Sequence, residues 1–310
     1  MPLSLSVVIC THNPRADYLA QALASLRAQT LPLDQWELII VDNASRVPVA
    51  ARVDLSWHPR ANLLSESTPG LTVARLRGIG AAAAPLIVFV DDDNALAPDY
   101  LAQAAALAAA SPRIGVFGCG SYTPVWEEEP APTLGPLLAY LAVHQAPADR
   151  CSDKPGDWAA IPAGAGLCVR GDVARRYAEL VAGDPRRRLL GRTQGQLSGC
   201  EDFDIAYTAL DLGYGTGVFI RLRITHFMPA ARVHQDYLLR LAEGHAYSMV
   251  ILQALRSPAA AAERRGLIGR IREFRYRLTL NAAERLLHDA RRAGERRAYA
   301  LLAQRTPIAS

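Results

Sequence analysis

The sequence predicts an α/β fold with a mostly parallel central sheet, followed by a helical extension toward the C-terminus. Three observations indicate this class. Short apolar runs rich in β-branched residues alternate with helical repeats of about ten to fifteen residues, which is typical of βαβ units. Several of these runs end in compact polar clusters, and after residue 230 the apolar pattern is helical. With 310 residues, of which 50% are apolar, the chain is long enough to bury the core of one large domain.

The first half contains four apolar runs that predict strands. They are LSLSVVICT at residues 3–11, WELIIVDN at 36–43, DLSWH at 54–58 and LIVFV at 86–90. Helical repeats occupy residues 16–29, 71–84 and 98–110, and Pro85 stops the second of them. In parallel sheets ligands bind beyond the carboxyl ends of the strands, where polar residues accumulate in this sequence. The first half is therefore expected to hold a binding site.

The second half is less regular. IGVFGCGSY at residues 114–122 predicts a strand, and IPAGAGLCVRG at 161–171 is a stretch of small residues that allows close backbone approach. GCEDFD at 199–204 places acids at the start of a predicted helix that ends at Gly213. After RITHFMP at 223–229 the pattern is helical, with a break near Ser257 and Pro258.

The formal net charge of +4 is unevenly distributed. From Arg256 onward thirteen arginines face five acids, so this tail carries +8 and the preceding residues −4. Five cysteines, an odd number without a CxxC pair, predict reduced core thiols. No apolar run approaches the roughly 20 residues of a membrane span, and the N-terminal segment lacks the basic start of a signal peptide. We expect a cytoplasmic protein, and the basic tail leaves peripheral contact with the inner face of the cell membrane open.

Three adjacent carboxylates follow the apolar run at residues 86–90. Asp91, Asp92 and Asp93 repel one another, and a hard divalent cation would offset that repulsion. In an extended chain alternate residues point the same way, so Asp91 and Asp93 are expected to converge while Asp92 faces elsewhere. The alternative is a solvated acidic turn that caps the helix starting near Pro98.

Five segments of the chain occur in the order of a known family. They are SVVICTHN at 6–13, ELIIVDNAS at 37–45, PGLTVARLRGIGAA at 69–82, VFVDDDN at 88–94 and GCEDFDI at 199–205. Together they resemble the family 2 glycosyltransferases of the GT-A fold, over roughly residues 4–230. The resemblance implies an inverting transfer of a sugar from a nucleotide-diphosphate donor to a glycan or lipid-linked acceptor, with Mn²⁺ or Mg²⁺ as cofactor, in bacterial cell-surface polysaccharide synthesis.

The resemblance also implies roles for individual residues on the donor side. The nucleotide-sugar-binding positions are Thr11, Asn13, Asp42, Ser45, Arg75, Asp91 and Asp92. Asp93 would hold the metal, with Asp91 and His226 as further ligands. Purely structural roles stay open for these side chains: the first two could cap a helix, Asp42 and Ser45 could form an Asx-type turn, Arg75 could be an exposed helix charge, and His226 could be a hydrogen-bonded strand residue.

On the acceptor side the resemblance implies that Asp202 is the catalytic base and that Glu201 binds or orients the acceptor. A helix N-terminus favours the ionised carboxylate that a base requires, although acids there are also ordinary first-turn charges. Trp158 and Gly164 are expected at the acceptor, with a core position equally open for Trp158. The sequence departs from the family at Leu76, where Asn is frequent, and at Cys200, where Gly is common.

The predicted organisation is a catalytic domain at residues 1–230 and a helical extension at 231–310. Residues 1–122 would form the nucleotide-binding half and residues 123–230 the acceptor-binding half. The basic tail is compatible with a lipid surface, a homodimer contact or a solvated face, and no nucleic-acid partner is expected. Two alternative functions stay open: a non-catalytic relative that binds a nucleotide or polyanion, and a sugar nucleotidyltransferase, although CTHNPRAD lacks the Gly-rich loop of that class.

Overall fold

A computed structural model describes residues 3–193, 195–257 and 267–304 of the chain. It confirms the predicted fold class. A large mixed sheet with a parallel centre carries helices on both faces, and a set of C-terminal helices follows the last long strand.

The described residues form strands and α-helices that alternate through most of the chain. The strands are β1 Leu5–Thr11, β2 Trp36–Asn43, β3 Ala61–Glu66, β4 Leu86–Val90, β5 Asn94–Leu96, β6 Ile114–Trp126, β7 Arg150–Ser152, β8 Cys168–Arg170 and β9 Gly215–Met228. The helices are α1 Ala16–Arg27, α2 Leu71–Ala81, α3 Tyr100–Ala110, α4 Gly135–Leu138, α5 Gly171–Gly183, α6 Glu201–Asp211, α7 Gln235–Arg256, α8 Leu267–Thr279 and α9 Ala282–Gln304.

The order of strands across the sheet is β3-β2-β1-β4-β8-β6-β9-β5, and β7 also pairs with β9. The first four run parallel, so the ends of β1, β2 and β4 meet at one edge of the sheet. The short strands β5, β7 and β8 are antiparallel to their neighbours. The antiparallel pairing of β5 with β9 brings the chain just after the three aspartates beside His226.

Apolar side chains cover both faces of the sheet, as parallel strands require. One core lies between the sheet and helices α1 and α3, and the other lies between the sheet and helices α2, α5 and α6. A smaller cluster joins α6 to α7 and α9, so the C-terminal helices pack against the body beside the start of α6.

The third strand is not where the sequence analysis expected it. Residues 54–58 form turns, in which Asp54 accepts the backbone N–H of Ser56 (2.9 Å) and Leu55 accepts that of His58 (3.0 Å). The strand that pairs with β2 is Ala61–Glu66. The apolar residues of 54–58 were misleading because they pack under the sheet from a loop, where the ring of His58 lies 4.2 Å from that of Trp36.

Two further expectations need correction or restriction. Cys119, Cys168 and Cys200 are buried, but Cys10 is half-buried and Cys151 is exposed, so not all five cysteines are core thiols. The predicted helical break falls at Ser257, which ends α7, while Pro258 lies outside the described residues. Within the described ranges, none of the helices combines the length and apolarity needed to cross a membrane.

Candidate functional site

The ends of β1 and β2 are joined by side-chain hydrogen bonds between their loops. The backbone N–H of Asn13 donates to Ser45 Oγ (2.9 Å), and Asn13 Oδ1 accepts the backbone N–H of Arg46 (2.8 Å). Asn13 has φ 50°, a left-handed conformation that Asn tolerates better than most residues. The two loops therefore form one fixed polar surface, and its role in a nucleotide pocket remains a prediction.

Asp42 lies at the end of β2 and is 7% exposed. Its Oδ1 accepts the backbone N–H of Ser45 (3.2 Å), and its Oδ2 accepts that of Val49 (2.8 Å). These bonds shape the loop that follows β2, which is the Asx-type turn that the sequence left open.

Arg75, on α2, is 3% exposed and therefore is not a surface charge. Its guanidinium lies 3.5 Å from the carboxylate of Glu201, donates to the backbone oxygen of Gly164 (3.3 Å) and stands over the ring of Phe89 (5.0 Å to the centroid). Burial lowers the pKa of Arg75, but the nearby charges of Glu201 and Asp91 raise it by more. The net shift of this pKa is therefore upward. Arg75 thus places a permanent positive charge between the two acidic segments of the chain.

Glu201, at the first position of α6, is 2% exposed. Tyr177 donates to its Oε1 (3.4 Å), and its Oε2 faces Arg75. Burial raises the pKa of Glu201 to about 7, against the opposite effect of the neighbouring guanidinium. A carboxylate this buried has almost no surface with which to contact an acceptor, and its observed contact is with Arg75.

Asp202 is the half-buried acid of the same segment. Its Oδ2 accepts the backbone N–H of Gly164 (3.0 Å), and its Oδ1 accepts that of Phe203 (2.9 Å). Burial raises the pKa of Asp202, while Arg75 and the two backbone bonds oppose that rise. A carboxylate with fixed orientation and raised pKa is a good proton acceptor near neutral pH.

Gly164 lies between Arg75 and Asp202 and contacts both. A Cβ added at Gly164 would lie 2.9 Å from Arg75 Nη2, which is closer than real side chains approach. A larger residue here would therefore require the guanidinium of Arg75 to shift. The stretch of small residues at 161–171 thus includes the loop before β8, and this loop contacts Arg75 and Asp202 through Gly164.

The third acid of the segment, Asp204, is fully buried and forms an ion pair with Arg187. This pair connects the 3₁₀ helix Pro185–Leu190 to α6. Asp204 therefore has a structural partner and no access to a substrate in this conformation.

The three aspartates after β4 form a turn and do not continue the strand, since the backbone N–H of Asn94 bonds to the oxygen of Asp91 (3.1 Å). The expectation that Asp91 and Asp93 converge assumed an extended chain, and no described contact joins their side chains. Asp92 accepts the hydroxyl of Thr11, and burial together with Asp93 raises the pKa of Asp92 to about 7. The charge of Asp91 acts on Arg75, on the side of Asp202.

Asp93 instead converges with His226, because Asn94 pairs with His226 across β5 and β9. His226 Nε2 lies 3.6 Å from Asp93 Oδ1, and both residues are buried. Arg232 Nη1 lies 2.7 Å from Asp93 Oδ2. Burial raises the pKa of Asp93, but His226 and Arg232 outweigh this effect and the net shift is downward.

The acidic residues differ in their fit to a divalent cation. Within residues 3–193, 195–257 and 267–304 no group of three or more His, Cys, Asp or Glu side chains is arranged to hold a metal. Asp93 and His226 form a pair whose facing atoms, 3.6 Å apart, are close enough for one cation with ligand distances of about 2.1 Å. Because Mg²⁺ and Mn²⁺ sites often use one or two protein ligands and complete the shell with substrate phosphates, the pair fits such a site.

Comparison with known proteins connects this geometry to a family. Residues 6–140 match the family described as Glycosyl transferase family 2. This segment belongs to that family. It contains the ends of β1, β2 and β4 and the buried arginine of α2, so the resemblance drawn from the sequence is confirmed.

Among the proteins similar to the chain are two curated relatives. Validoxylamine A glucosyltransferase of Streptomyces hygroscopicus subsp. jinggangensis (strain 5008) is 33% identical over 157 residues, which are 49% of this chain and 36% of that protein. EpsH of Bacillus subtilis (strain 168), whose name assigns it provisionally to the glycosyltransferases, is 32% identical over 102 residues, 32% of this chain and 29% of that one. The chain thus matches about a third of the length of each relative.

Among solved structures, the chain is similar to the mannosyltransferase PcManGT from Pyrobaculum calidifontis in complex with GDP-Man and Mn²⁺. It is 21% identical, with a TM-score of 0.52 over 100% of this chain and 77% of that chain. At this identity the similarity concerns the fold, and it confirms the predicted GT-A type of α/β architecture with C-terminal helices.

Trp158 lies near the acidic segment of this glycosyltransferase fold. Its side chain is 50% exposed, and its ring lies 5.4 Å from that of Phe203, the residue after Asp202. The core position that the sequence left open is therefore wrong. An exposed indole beside the half-buried carboxylate is available for contact with a sugar.

Two arginines near Asp93 were missed by sequence reasoning. Arg232 contacts its carboxylate directly, and the charge of Arg192, in the loop before α6, also lowers its pKa. Both lie outside the family 2 segment at 6–140, among many arginines of similar local context. No local pattern distinguishes them, because Arg232 reaches Asp93 through the pairing of β5 with β9 and Arg192 lies in a loop bonded to Leu71.

Proposed function

We propose that the chain is an inverting glycosyltransferase that moves a sugar from a nucleoside-diphosphate donor to a hydroxyl of a glycan or glycolipid acceptor. The observation that carries the proposal is the arrangement of Asp202, Gly164 and Arg75. A half-buried carboxylate with raised pKa is oriented by a backbone N–H, and a buried arginine connects it to the charge of Asp91. The family of residues 6–140 supports the class of reaction.

The donor would bind beyond the ends of β1, β2 and β4. The residues that we assign to it are Thr11, Asn13, Asp42, Ser45, Arg75, Asp91 and Asp92. The interlocked loops after β1 and β2 suit the nucleoside, and the permanent charge of Arg75 suits the diphosphate side. The related fold of PcManGT holds GDP-Man and Mn²⁺, which makes the same class of donor the first to test here.

Asp93 and His226 would hold Mn²⁺ or Mg²⁺. When bound, such a cation would neutralise charge on the diphosphate. The His226 ring is oriented for this by its Nδ1, which donates to the backbone oxygen of Ala142 (2.9 Å) and leaves Nε2 facing Asp93. For Asp91, named as a ligand from the sequence, we propose contact with the donor, because its charge acts on both Arg75 and Arg232.

Asp202 would act as the base in a single displacement. Its carboxylate takes the proton of the acceptor hydroxyl while the hydroxyl oxygen forms a bond to the anomeric carbon of the donor sugar. On the opposite face the bond from that carbon to the diphosphate oxygen breaks, and its electron pair leaves with the nucleoside diphosphate. Gly164 orients the base through its N–H, and Glu201 positions Arg75, a role that fits its burial better than acceptor contact.

The acceptor would lie between Trp158 and Asp202, near Gly164. We therefore propose the division expected from the sequence, with residues 1–122 for the donor, 123–230 for the acceptor and 231–310 as an extension. A lipid-linked glycan of the kind used in bacterial cell-surface polysaccharides is the acceptor class to test first.

The donor proposal is tested with a panel of nucleotide sugars. Thermal shift of the full chain is measured with each compound in the presence of Mn²⁺, of Mg²⁺ and of EDTA. We expect a metal-dependent rise in melting temperature with one nucleotide or a few related ones. No response to any nucleotide diphosphate in either metal would contradict the proposal.

The catalytic proposal is tested with Asp202→Asn, which preserves size and removes the proton-accepting charge. We expect nucleotide and Mn²⁺ binding to persist while turnover of the donor falls by about 10² to 10⁴. Asp172→Asn is the matched control, because Asp172 is an exposed acid in the first turn of α5 and should leave turnover unchanged. Donor hydrolysis and transfer at the original rate in Asp202→Asn would exclude this base.

The same measurements distinguish the rival functions. A non-catalytic relative would bind nucleotide but show no turnover in the unaltered chain with any donor. A sugar nucleotidyltransferase would release pyrophosphate from a nucleoside triphosphate and a sugar phosphate, which can be measured directly.

A second proposal concerns the helical hairpin of α8 and α9. Phe274, Leu278 and Leu286 are 61%, 58% and 43% exposed, and α8 contains four arginines against one glutamate. We propose that this surface contacts an anionic lipid bilayer, because exposed apolar side chains flanked by arginine are complementary to negatively charged lipid.

Flotation of the full chain with vesicles tests this contact. We expect binding to phosphatidylglycerol-containing vesicles and none to pure phosphatidylcholine, with a loss of binding in Phe274→Ala/Leu278→Ala. Ile220→Ala, which removes an equally apolar side chain (43% exposed) from β9, is the control. Failure to float together with a dimer in analytical ultracentrifugation would identify the hairpin as a homodimer contact instead.

A further inference from the structure

The carboxylate of Asp93 is enclosed by groups from the second half of the chain. Asp93 is 7% exposed, and a carboxylate this buried requires compensation of its charge. Arg232 Nη1 lies 2.7 Å from Oδ2, while His226 Nε2 lies 3.6 Å from Oδ1. The side-chain amide of Asn94 donates to Oδ1 (3.1 Å), so each carboxylate oxygen has a polar donor as partner.

Only one of these three partners carries a fixed charge. His226 Nδ1 lies 2.9 Å from the backbone oxygen of Ala142, which accepts and cannot donate, so in the neutral ring the proton is on Nδ1. Nε2 then presents a lone pair, which faces Asp93 and the guanidinium of Arg232 at 3.5 Å. Of the described side chains in contact with Asp93, Arg232 supplies the permanent positive charge.

The backbone of Arg232 is fixed, whereas its side chain has room to move. Arg232 belongs to the 3₁₀ helix Ala230–Val233, and its N–H bonds to the oxygen of Pro229 (2.8 Å). The N–H of Ala230 donates to Glu127 (3.0 Å), which also accepts the hydroxyl of Tyr18 (2.9 Å). The side chain of Arg232 is 24% exposed, so its guanidinium reaches both Asp93 and the solvent beside it.

We propose that Arg232 is the counter-ion of Asp93 in the donor-free protein and a ligand of the donor's diphosphate in the complex. The inference rests on the function proposed above. A divalent cation at Asp93 and His226 would meet the like charge of the guanidinium, so the cation and Arg232 compete for the carboxylate until a diphosphate is present. The diphosphate attracts both, and its binding is therefore linked to that of the cation.

The inference is tested by measuring two binding constants in the full chain. Mn²⁺ binding without nucleotide is followed by electron paramagnetic resonance, and binding of UDP, GDP and inorganic pyrophosphate in saturating Mn²⁺ is followed by calorimetry. In Arg232→Gln we expect Mn²⁺ without nucleotide to bind about fivefold more tightly and the diphosphates about tenfold more weakly. Arg232→Lys keeps the charge, so both of its binding constants should lie between those of the unaltered chain and those of Arg232→Gln. It is the variant to use if Arg232→Gln does not fold.

Arg221→Gln is the matched control. Arg221 is an exposed arginine of β9 that pairs with Asp149 (3.5 Å), and its replacement should alter neither constant. Circular dichroism and melting temperature verify that each variant is folded. Unchanged or weaker Mn²⁺ binding in folded Arg232→Gln would overturn the competition with the cation, and unchanged diphosphate binding would overturn the second role.

Failure of the inference and failure of the proposed function give different results. If the unaltered chain binds no nucleoside diphosphate and no pyrophosphate in Mn²⁺, the proposed function fails and the diphosphate role of Arg232 fails with it. If the unaltered chain binds them and Arg232→Gln binds them equally well, only the inference is wrong.

Discussion

Two of the chain's acidic segments, residues 91–93 and 201–204, each contribute three acids to the candidate site, and the two are built alike. In DDD, at residues 91–93, Asp93 is buried against Arg232, while Asp91 remains partly exposed. In EDFD, at residues 201–204, Asp204 is buried against Arg187, while Asp202 remains partly exposed. Each segment therefore combines an acid whose charge is compensated by arginine with an acid that is accessible.

The difference between the segments lies in what surrounds the accessible acid. Asp202 has a pKa raised by burial and a carboxylate oriented by the N–H of Gly164. Among the described contacts no hydrogen bond orients the side chain of Asp91, and its charge raises the pKa of Arg75. Proximity of acids therefore does not single out a base, and the orientation of the carboxylate is the feature on which our proposal for Asp202 rests.

The largest effect is expected on stability, at the buried acid of the second segment. Asp204→Ala leaves Arg187 buried without its partner, and removal of one member of such a pair lowers the free energy of unfolding by about 3–5 kcal/mol. Asp91→Asn, at an accessible acid, should lower it by less than about 1 kcal/mol. Urea denaturation of both variants measures the contrast, and equal losses would show that the two classes of acid are not distinct.

The next effect is expected on turnover, at the glycine that orients Asp202. Gly164→Ala places a methyl group 2.9 Å from Arg75 Nη2, so the guanidinium or the loop must shift. Misplacement of a catalytic group by about 1 Å lowers the rate by about a hundredfold. Gly199→Ala is the control, because an added Cβ there meets no atom within 4 Å, and it should retain most activity. Gly156 is unsuitable because its φ of 90° would strain any other residue. Full activity of Gly164→Ala would remove this glycine from the orienting role.

The pH dependence of turnover separates Asp202 from Asp92, whose pKa is also raised. A base must be ionised, and the upward shift of the pKa of Asp202 means that activity is lost on acidification at a higher pH than for an ordinary aspartate. Below that pKa, kcat/KM should fall about tenfold per pH unit. The acid limb should persist in Asp92→Asn and disappear from the residual activity of Asp202→Asn. The reverse result would assign the limb to the aspartates after β4.

The smallest effect is expected at the exposed indole. Trp158→Ala should raise the KM for the acceptor about fivefold, through loss of ring contact, and leave the KM for the donor unchanged. Leu212→Ala, which removes an exposed apolar side chain (43% exposed) beyond the end of α6, is the control. A rise in the donor KM would place Trp158 on the other side of the site.

Much of the first half could be predicted because its information is local. The strands β1, β2 and β4 begin and end within two residues of the apolar runs, since a buried parallel strand needs a continuous apolar sequence. Strand β3 was missed because it is a half-exposed edge strand of mixed polarity, while the apolar loop before it resembles a strand. The polar residues at the strand ends could be located from the sequence because each one directly follows a continuous apolar run.

The contacts of the second half depend on residues that are distant in sequence. Asp93 meets His226 and Arg232 through the antiparallel pairing of β5 with β9, and β5 is only the three residues Asn94–Leu96. The resemblance implied that Glu201 binds or orients the acceptor, but Glu201 is 2% exposed and its described neighbours are Arg75 and Tyr177. Such burial is set by tertiary packing and leaves no mark in the local sequence.

The stereochemistry of the reaction shows whether one carboxylate, Asp202, activates the acceptor for a single displacement. With the donor found in the panel, proton NMR of the product or of the first sugar released by hydrolysis reports the configuration at the anomeric carbon. We expect inversion of the donor's configuration in every turnover. Retention would contradict the proposed role of Asp202, because a single displacement on the face opposite the diphosphate cannot give a retained product.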